Sequence, residues 1–251
     1  MAPLRGRRGA RTLQYHAPMP TAVLLDLYNT LVSSGSDVRR DQINLAMGAD
    51  LGVDPPEHFA NLFRQSYPQR YVGALGDLES TVRAVAHVAG VTPTPSQVRL
   101  AAARRRAFAR DLLWPSPSTL EALDALRAAG WRLGLVTNCS AETPELWKST
   151  PLASRFEALG FSCELGVAKP DPAIYLAVCS FLSVAPTECV YVGDGGDGEL
   201  PGAGNLGMSV VRTVEFHPSS SAWPRARVET LSDLPALIGR PVRSPMSAGP
   251  V

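Results

Sequence analysis

Apolar residues along the chain occur in short runs that end at a polar or acidic residue. The first run covers residues 22–25 and is followed by Asp26, and a later run over 189–192 is followed by Gly193-Asp194. Short runs that are apolar on both faces are typical of buried parallel strands. We therefore predict strands over residues 22–26, 131–137, 161–163, 189–192 and 208–211.

Helical patterns separate these strands. The stretch 118–129 places Leu120, Leu123 and Leu126 on one side and stops at Gly130, a residue that commonly terminates helices. Strands that alternate with helices predict right-handed crossovers and a parallel sheet. The predicted helices of this part are 118–129, 143–147, 172–182, 199–206 and 231–238.

The segment between the first strand and residue 115 has a different pattern. Four stretches favour helix, separated by Pro and Gly. These predicted helices are 37–51, 56–67, 78–88 and 96–113. The fold class that we predict is α/β, with a doubly wound, Rossmann-like parallel-sheet core formed by residues 21–32 and 115–239. An all-helical cap is inserted in this core at residues 33–114.

The ends of the chain and its charge bear on location and partners. Residues 1–20 are basic but have no apolar stretch of signal-peptide type, and residues 240–251 are rich in Pro, Gly and Ser, so both are predicted to be flexible. The cysteines lack the paired spacing of a zinc site, which favours reduced thiols and a cytoplasmic location. A net charge of +1 and the lack of a long apolar run argue against nucleic acid or membrane as partners. The composition is compatible with a monomer or a homodimer.

Candidate chemistry lies at the carboxyl ends of the predicted strands, which meet at one edge of the sheet. At the end of the first strand, Asp26 is placed to attack an electrophilic phosphorus or carbon atom and to form an acyl intermediate. At the end of the second strand, Thr137 and Asn138 offer neutral hydrogen-bond donors to a phosphoryl oxygen. Taken singly, each of these residues is also typical of a turn at a strand end.

Two further segments add a cation and more acids. Lys169 precedes a proline, which favours an extended backbone, and its ammonium group is expected to hold Asp26 ionised and to neutralise a phosphate. A glycine-rich turn after the fourth strand carries Asp194, Asp197 and Glu199. Mg²⁺ prefers hard oxygen ligands, so Asp194 is expected to bind it directly. Asp197 or Glu199 is expected to hold a metal-bound water or to orient the lysine.

In their joint order and spacing, these segments resemble the four motifs of the haloacid dehalogenase superfamily, in its branch with a helical cap after the first motif. The matching residues are Asp26 with Thr30, Thr137 with Asn138, Lys169, and Gly193-Asp194 with Glu199. The resemblance implies an Asp26 nucleophile that forms an aspartyl-phosphate, and hydrolysis of a small phosphorylated or otherwise anionic substrate. The metal ligands that it implies for Mg²⁺ are Asp26, the backbone carbonyl of Tyr28, Asp194 and Glu199. The candidate substrate-binding residues are Thr30, Asn138, Lys169 and Arg70.

One position departs from the phosphatases of this superfamily, which usually carry a second aspartate two residues after the nucleophile. That aspartate protonates the leaving group and later activates water, whereas this chain has Tyr28 at the position. A tyrosine with a pKa of about 10 donates a proton but is a poor base near neutral pH. We therefore expect a slow phosphatase in which Tyr28 acts as the acid or only packs.

Two other functions are compatible with the sequence. Tyr28 is also similar to the residue of the 2-haloacid dehalogenases, which attack carbon without Mg²⁺, although those enzymes lack an acid at the position of Asp194. A non-catalytic phosphate-binding or regulatory protein is the second alternative.

The cap is expected to set specificity by closing over the site. Arg70, Arg83 and Arg106 are the cap residues that could meet an anionic substrate. For each of them, a solvated helix face is the stronger expectation, because the cap helices are rich in arginine throughout.

Overall fold

A computed structural model describes residues 20–216 and 223–241. Six strands form one parallel sheet in the order β3-β2-β1-β4-β5-β6. They are β1 (Ala22–Leu25), β2 (Arg132–Thr137), β3 (Ala158–Phe161), β4 (Cys189–Gly193), β5 (Ser209–Thr213) and β6 (Arg227–Val228). The predicted flexible segments 1–20 and 240–251 lie almost entirely outside the described residues.

Helices cover both faces of this sheet. They are α6 (Pro117–Ala129), α7 (Glu142–Trp147), α8 (Ser162–Leu165), α9 (Pro172–Phe181), α10 (Glu199–Asn205) and α11 (Leu234–Ile238). Because successive strand residues point to opposite faces, Val23 and Leu25 join one core cluster with Leu123 of α6. Leu24 belongs to the other cluster, with Val178 of α9. The predicted doubly wound α/β class is therefore confirmed.

Helix α9 approaches the sheet closely because two strand residues have no side chain. A Cβ atom on Gly134 of β2 would lie 2.7 Å from Val178 Cγ1, and one on Gly160 of β3 would lie 2.5 Å from Val178 Cγ2. Both distances are too short for real Cβ contacts, so glycine is required at both positions for this packing. Lys169 lies in the loop just before α9, so this packing fixes that loop relative to β2.

The chain between β1 and α6 is helical, as predicted. The helices are α1 (Asp37–Asp50), α2 (Pro56–Gln65), α3 (Tyr67–Arg70), α4 (Leu78–Val88) and α5 (Pro95–Leu112). Their starts carry side-chain caps: Ser36 accepts from Arg39 N, Asp77 from Ser80 N, and Thr94 forms a capping box. An apolar cluster of their own holds four of them together, with Met47, Phe59, Val82 and Val98 among its members.

Three local predictions were wrong. The strand predicted at 161–163 is β3 at Ala158–Phe161, and Cys163 lies in the short helix α8 instead. Gly160 interrupts the apolar run of β3 and hides it from pattern analysis, whereas pairing with β2 stabilises it in the fold. The two-residue strand β6 follows the strand that was predicted to be last. The helix predicted over 56–67 is divided at Ser66 into α2 and α3.

Candidate active site

Asp26 lies at the carboxyl end of the central strand β1 and is held from several sides. Its backbone N–H donates to Val192 O at 2.9 Å, which ties it to β4. The Thr30 hydroxyl donates to Asp26 Oδ2 at 3.1 Å, and Lys169 Nζ donates to Asp26 Oδ1 at 2.5 Å. The carboxylate is buried and both of its oxygens are oriented, which suits a nucleophile that must attack in one direction.

Glu199, the first residue of α10, is the second partner of the lysine. Lys169 Nζ and the Tyr191 hydroxyl each donate to Glu199 Oε2 at 2.6 Å, and Gly195 N donates to Glu199 Oε1 at 3.0 Å. The carboxylate fits against Gly193 so closely that a Cβ there would lie 2.0 Å from Glu199 Oε1. Of the two acids left open by the sequence, Glu199 is therefore the one that contacts the lysine.

Asn138 and Asp197 form a separate pair above this site. Asn138 Oδ1 accepts from Lys169 N at 2.8 Å, and Asn138 Nδ2 donates to Lys169 O at 3.2 Å and to Asp197 Oδ2 at 2.8 Å. Asp197 is exposed and adopts a positive φ of 52° in its glycine-rich turn. Asn138 thus fixes the backbone that carries the lysine.

Burial and neighbouring charges shift the acidity of the central groups. Burial, with a smaller effect of Asp194, raises the pKa of Asp26, and Lys169 opposes that shift. Burial likewise raises the pKa of Glu199 to about 7, against the opposite effect of the lysine. Burial opposes protonation of Lys169, but Asp26 and Glu199 outweigh it and raise the pKa of the lysine. The lysine therefore stays protonated at every physiological pH.

The three acids of the site lie close enough to share a cation. One carboxylate oxygen each from Asp26, Asp194 and Glu199 lie within 4.8 Å of one another. When all three are ionised, Lys169 balances one of their three charges and two negative charges are left. Hard oxygen donors with a residual charge of two fit a divalent cation such as Mg²⁺. Among the described residues, the Glu199 carboxylate accepts three hydrogen bonds, the Asp26 carboxylate two and the Asp194 carboxylate one. Asp26 and Asp194 are therefore the acids with the more open coordination.

Tyr28 lines a cavity that lies above Asp26, between the sheet edge and the cap helices. Its hydroxyl forms a hydrogen bond of 2.9 Å with the Thr143 hydroxyl. Burial raises the pKa of Tyr28 above its usual value of 10. The phenol is therefore uncharged at neutral pH and cannot serve as a base there.

A cavity of about 440 Å³ lies above Asp26 between the sheet edge and the cap helices. Its wall includes Asp26, Asn138, Lys169 and Asp194 from the core together with Arg70 from the cap. Thr137 and Thr30 do not belong to this wall. Thr137 is fully buried, and its hydroxyl has no hydrogen-bond partner among the described residues. The predicted role of Thr137 as a donor to the substrate is therefore not supported by its position.

The expectation of a solvated helix face was wrong for Arg70. The other two cap arginines, Arg83 and Arg106, are partly exposed. Arg70 is only 7% exposed and faces the cavity. Arg106 lies outside this cavity wall and pairs with Glu145 and Glu79, while Arg83 is half-buried. The helical periodicity of the sequence does not show which face of α3 the core covers, and this accounts for the error.

Sequence analysis did not single out three further residues of the cavity wall. Arg105 Nε donates to Glu142 Oε1 at 2.7 Å in a buried ion pair that joins α5 to α7. Ser140 Oγ accepts from Arg70 at 2.9 Å. Ser140 lies two residues after Asn138 in the same loop, which is the one sequence signal that could have identified it.

Comparison with known proteins identifies the family. The family model for haloacid dehalogenase-like hydrolases matches residues 20–207. The chain belongs to this family of hydrolases. The predicted membership of the haloacid dehalogenase superfamily and the prediction of an enzyme are thereby confirmed.

Its curated relatives include both phosphatases and dehalogenases. A glyceraldehyde 3-phosphate phosphatase of Methanopyrus kandleri is 31% identical over 205 residues, which cover 77% of this chain and 84% of that protein. An N-acylneuraminate-9-phosphatase of Mus musculus is 33% identical over 43% of this chain and 45% of its own length. An (S)-2-haloacid dehalogenase of Burkholderia cepacia is 30% identical over 50% of this chain and 56% of its own length. For the last two, the matched part is about half of the relative.

Solved structures share the fold. A 2-haloacid dehalogenase of Pseudomonas syringae has a TM-score of 0.67 at 24% identity and covers 88% of this chain and 98% of its own. A haloacid dehalogenase family enzyme of Bacteroides thetaiotaomicron, solved with magnesium and inorganic phosphate, has a TM-score of 0.60 at 19% identity and covers 82% and 98%. Within the part of the chain that the structure describes, no helix has the length and apolar character needed to cross a bilayer.

Proposed function

We propose that this hydrolase cleaves small phosphate monoesters with Mg²⁺ and forms an aspartyl-phosphate on Asp26. The observation that carries the proposal is the third acid. One carboxylate oxygen of Asp194 lies within 4.8 Å of one oxygen each of Asp26 and Glu199, and a single lysine balances one of the three charges. Two uncompensated negative charges at a largely buried site are costly, and a divalent cation would neutralise them. The phosphatase of Methanopyrus kandleri, similar over most of its length, supports the same class of substrate.

Asp26 is the proposed nucleophile. One of its carboxylate oxygens attacks phosphorus, and the bond from phosphorus to the ester oxygen breaks with the electron pair on that oxygen. Lys169 favours the ionised form of this carboxylate, and Lys169 and Thr30 orient it through their hydrogen bonds. Water then attacks the phosphorus of the aspartyl-phosphate and the carboxylate is restored. One proton of that water stays on the phosphate, and the other is released to solvent, from which the departed ester oxygen takes up a proton. When bound, Mg²⁺ would neutralise the phosphate and make phosphorus more electrophilic.

Asp26 and Asp194 are the proposed direct ligands of the metal. Glu199 holds Lys169 in place, because its two oxygens accept bonds from the lysine, Tyr191 and the 195 amide. This assignment replaces the expectation that Glu199 binds the metal directly. It also assigns Asn138 to the support of the lysine backbone.

The leaving group is expected to decide the rate. No carboxylate occupies position 28, and Tyr28 is a weak acid and a poor base. Aryl esters need no proton when they depart, so we expect them to react faster than alkyl esters. For aryl and alkyl esters alike, hydrolysis of the aspartyl-phosphate lacks its usual base, so overall turnover is expected to be slow.

The test is phosphate release from p-nitrophenyl phosphate and a panel of small phosphate esters, with Mg²⁺ and with EDTA. Wild-type activity is expected with Mg²⁺ and is expected to vanish in Asp26→Asn and with EDTA. Asp194→Asn is expected to need far more Mg²⁺ for the same rate. Acid quenching with radiolabelled phosphate ester is expected to leave label on the wild-type chain and none on Asp26→Asn. Equal activity of wild type and Asp26→Asn would overturn the proposal.

A dehalogenase is the second candidate because Tyr28 lies in the cavity and because the chain is similar to a haloacid dehalogenase. In that case Asp26 would displace a halide from carbon without a metal. Halide release from 2-chloropropionate in the presence of EDTA would support it. We expect no release, since burial and, to a smaller extent, Asp194 raise the pKa of Asp26 and would hinder its attack in the absence of a cation.

A further inference from the structure

The cavity above Asp26 has two ends of opposite charge. The core end carries Asp26, Asp194 and Glu199 around Lys169. The cap end carries the guanidinium groups of Arg70, Arg105, Arg40 and Arg64. Arg105 is neutralised by Glu142, and Arg40 and Arg64 are paired at their exposed ends with Asp37 and Asp41. Arg70 is the remaining cation of this end.

Arg70 is buried and makes its hydrogen bonds to neutral acceptors. Its three nitrogens donate to Ser66 Oγ at 3.2 Å, Ser140 Oγ at 2.9 Å and Phe63 O at 3.2 Å. Its guanidinium group lies 4.2 Å from the centre of the Phe63 ring. Across residues 20–216 and 223–241, no carboxylate forms an ion pair with it. Glu142 attracts the Arg70 guanidinium electrostatically, but its ion pair is with Arg105. The negative charge of a ligand would therefore stabilise the buried Arg70 cation.

The loop at 138–140 links Arg70 to the catalytic end. Its first residue, Asn138, holds the backbone of Lys169, and its last, Ser140, holds the guanidinium group of Arg70. Residues two apart are at most about 7 Å from each other along an extended chain. Asp26, Lys169 and Arg70 also line one cavity of about 440 Å³, which suits a molecule of a few carbon atoms. Burial lowers the pKa of Arg70 to about 10, so the group is positively charged at neutral pH.

We infer that the natural substrate carries a second anionic group, a carboxylate, at the end opposite to its phosphate, and that Arg70 binds this group. This inference rests on the proposed phosphatase function. Two of the five N–H groups of a guanidinium suffice for a bidentate bond to a carboxylate. Three neutral bonds fix the arginine in place, so little side-chain freedom is lost when the ligand binds. The substrate class is a small phosphorylated carboxylic acid.

The experiment compares two three-carbon esters that differ in the distal group. These are 3-phosphoglycerate, which has a carboxylate, and glycerol 3-phosphate, which has a hydroxymethyl group in its place. Wild type is expected to have a kcat/KM about 10- to 100-fold higher for the carboxylate ester, the range for a hydrogen-bonded charge. This comparison needs no variant and is independent of whether a variant folds.

Variants then test whether Arg70 causes the preference for the carboxylate ester. In Arg70→Met, kcat/KM for 3-phosphoglycerate is expected to fall about 10- to 100-fold, while that for glycerol 3-phosphate changes by less than about threefold. Arg70→Lys keeps the charge but loses the planar pair of donors, so an intermediate preference is expected. Arg106→Met is the matched control, because Arg106 is a cap arginine outside this cavity wall with acidic partners. Thermal melting checks that each variant folds.

The outcomes separate the two proposals. If no phosphate ester is hydrolysed, the proposed function fails. If p-nitrophenyl phosphate is hydrolysed but wild type treats the two three-carbon esters alike, the phosphatase stands and the carboxylate subsite is refuted. A preference that survives in Arg70→Met also refutes the role of Arg70. Binding to Asp26→Asn, measured by the shift in melting temperature with each ester, gives the same comparison without turnover.

A second, independent observation concerns two neighbouring thiols, one of which lies in the cavity wall. Cys139 Sγ lies 3.8 Å from Cys163 Sγ. Cys139 is buried between Asn138 and Ser140 and lines the cavity above Asp26, whereas Cys163 is half-buried and lines a separate surface cavity. A second pair, Cys179 and Cys189, has the same separation of 3.8 Å, but both of its members are buried.

We propose that Cys139 and Cys163 form a disulfide when a small disulfide oxidant such as oxidised glutathione is present. The Cys163 thiolate attacks one glutathione sulfur and releases one glutathione thiolate; the Cys139 thiolate then attacks the mixed disulfide and releases the second. The two protein thiols are oxidised and one glutathione disulfide is reduced to two thiols. A hydrogen bond with Cys139 lowers the pKa of Cys163, which favours the first attack. The bond would join the 138–140 loop to α8.

The test is incubation with oxidised glutathione, alkylation of free thiols and mapping of peptides by mass. Loss of two hydrogens and a peptide that joins 139 to 163 are expected, reversed by dithiothreitol. The pair 179 and 189 is the internal control and is expected to stay alkylated. Cys163→Ser is expected to abolish the bond, while Cys179→Ser leaves it unchanged. A glutathione adduct that persists on Cys163 in wild type, or no reaction at all, would refute the proposal.

Discussion

At the scale of single residues, Lys169 is the group on which the charge of the site depends. Its ammonium group donates to Asp26 at 2.5 Å and to Glu199 at 2.6 Å, and its backbone N–H and C=O both bond to Asn138. The ammonium group therefore cannot turn away without breaking its bonds to both carboxylates, and Asn138 fixes the backbone that carries it. A buried lysine held in this way is a fixed positive charge, which is what an attacking carboxylate and an incoming phosphate need.

Tyr28 is the residue whose replacement is expected to increase activity. In Tyr28→Asp, an acid that can donate a proton and then accept one enters the cavity wall, so phosphate turnover on alkyl esters is expected to rise about 10²-fold. Tyr28→Asn is the matched control, because it opens the same space and breaks the same bond to Thr143 without supplying an acid. A similar rise in both variants would mean that space, and not proton transfer, limits the wild type.

The residues that sequence analysis could find are those whose place depends on the strand pattern. Asp26 and Asp194 follow apolar runs, and the ends of parallel strands must meet at one edge of the sheet. Arg105 and Glu142 could not be found in this way. Each is an ordinary polar residue of an amphipathic helix, and their meeting depends on how the cap packs on the core.

At the scale of elements, α5 and α7 join the cap to the core through two ion pairs of different burial. Arg105 and Glu142 are 12% and 4% exposed, whereas Arg106 and Glu145 are 27% and 41% exposed. Both acids belong to α7, and both arginines are neighbours on α5. The two pairs thus share their elements and differ mainly in their access to solvent.

We expect the buried pair to matter far more for stability than the exposed one. Glu142→Gln leaves the charge of Arg105 buried without its partner and is expected to lower the free energy of unfolding by about 3 kcal/mol. Glu145→Gln is the control and is expected to change it by less than about 1 kcal/mol. Urea denaturation of both variants beside the wild type measures the difference. Equal losses would show that burial does not decide the strength of these pairs.

The contribution of Glu142 is expected to depend on pH. Burial alone would raise the pKa of Glu142, but Arg105 and Arg70 outweigh it and lower the pKa below the ordinary value of 4.5. A lowered pKa means that its stabilising contribution is fully present above pH 4.5 and is lost as the pH falls through the folded value. The difference in unfolding free energy between wild type and Glu142→Gln should therefore become smaller as the pH is lowered from 5. A difference that grows on acidification contradicts this.

Most element boundaries were predictable because local chemistry marks them. Ser36, Asp77 and Thr94 cap their helices, and Gly130 ends α6 with a φ of 101°. The elements that were missed are those that tertiary pairing maintains. Strand β6 has two residues and forms through its pairing with β5, so its own sequence carries no period from which to predict it.

At the scale of the whole molecule, a divalent cation is expected to stabilise the fold. When the three acids are ionised, the lysine balances one of their charges and leaves two negative charges, which Mg²⁺ would neutralise. At a concentration of about 100 times Kd, the gain is about 2.7 kcal/mol, or several degrees in Tm. Differential scanning fluorimetry with MgCl₂, against NaCl at equal ionic strength, measures the shift. Asp194→Asn should lose it, and a shift of equal size in that variant contradicts the assignment of the ligand.

The position of β1 has a consequence for how this enzyme could acquire new selectivity. This strand lies between β2 and β4, and all four of its residues are fully buried, so its amide hydrogens should exchange with deuterium only through global unfolding. Asp26, the proposed nucleophile, thus directly follows a strand that we expect to exchange slowly. The residues that would contact the far end of a ligand belong instead to the inserted cap helices, which do not pair with the sheet. Directed evolution should randomise the positions around residue 70 and leave the central strand untouched.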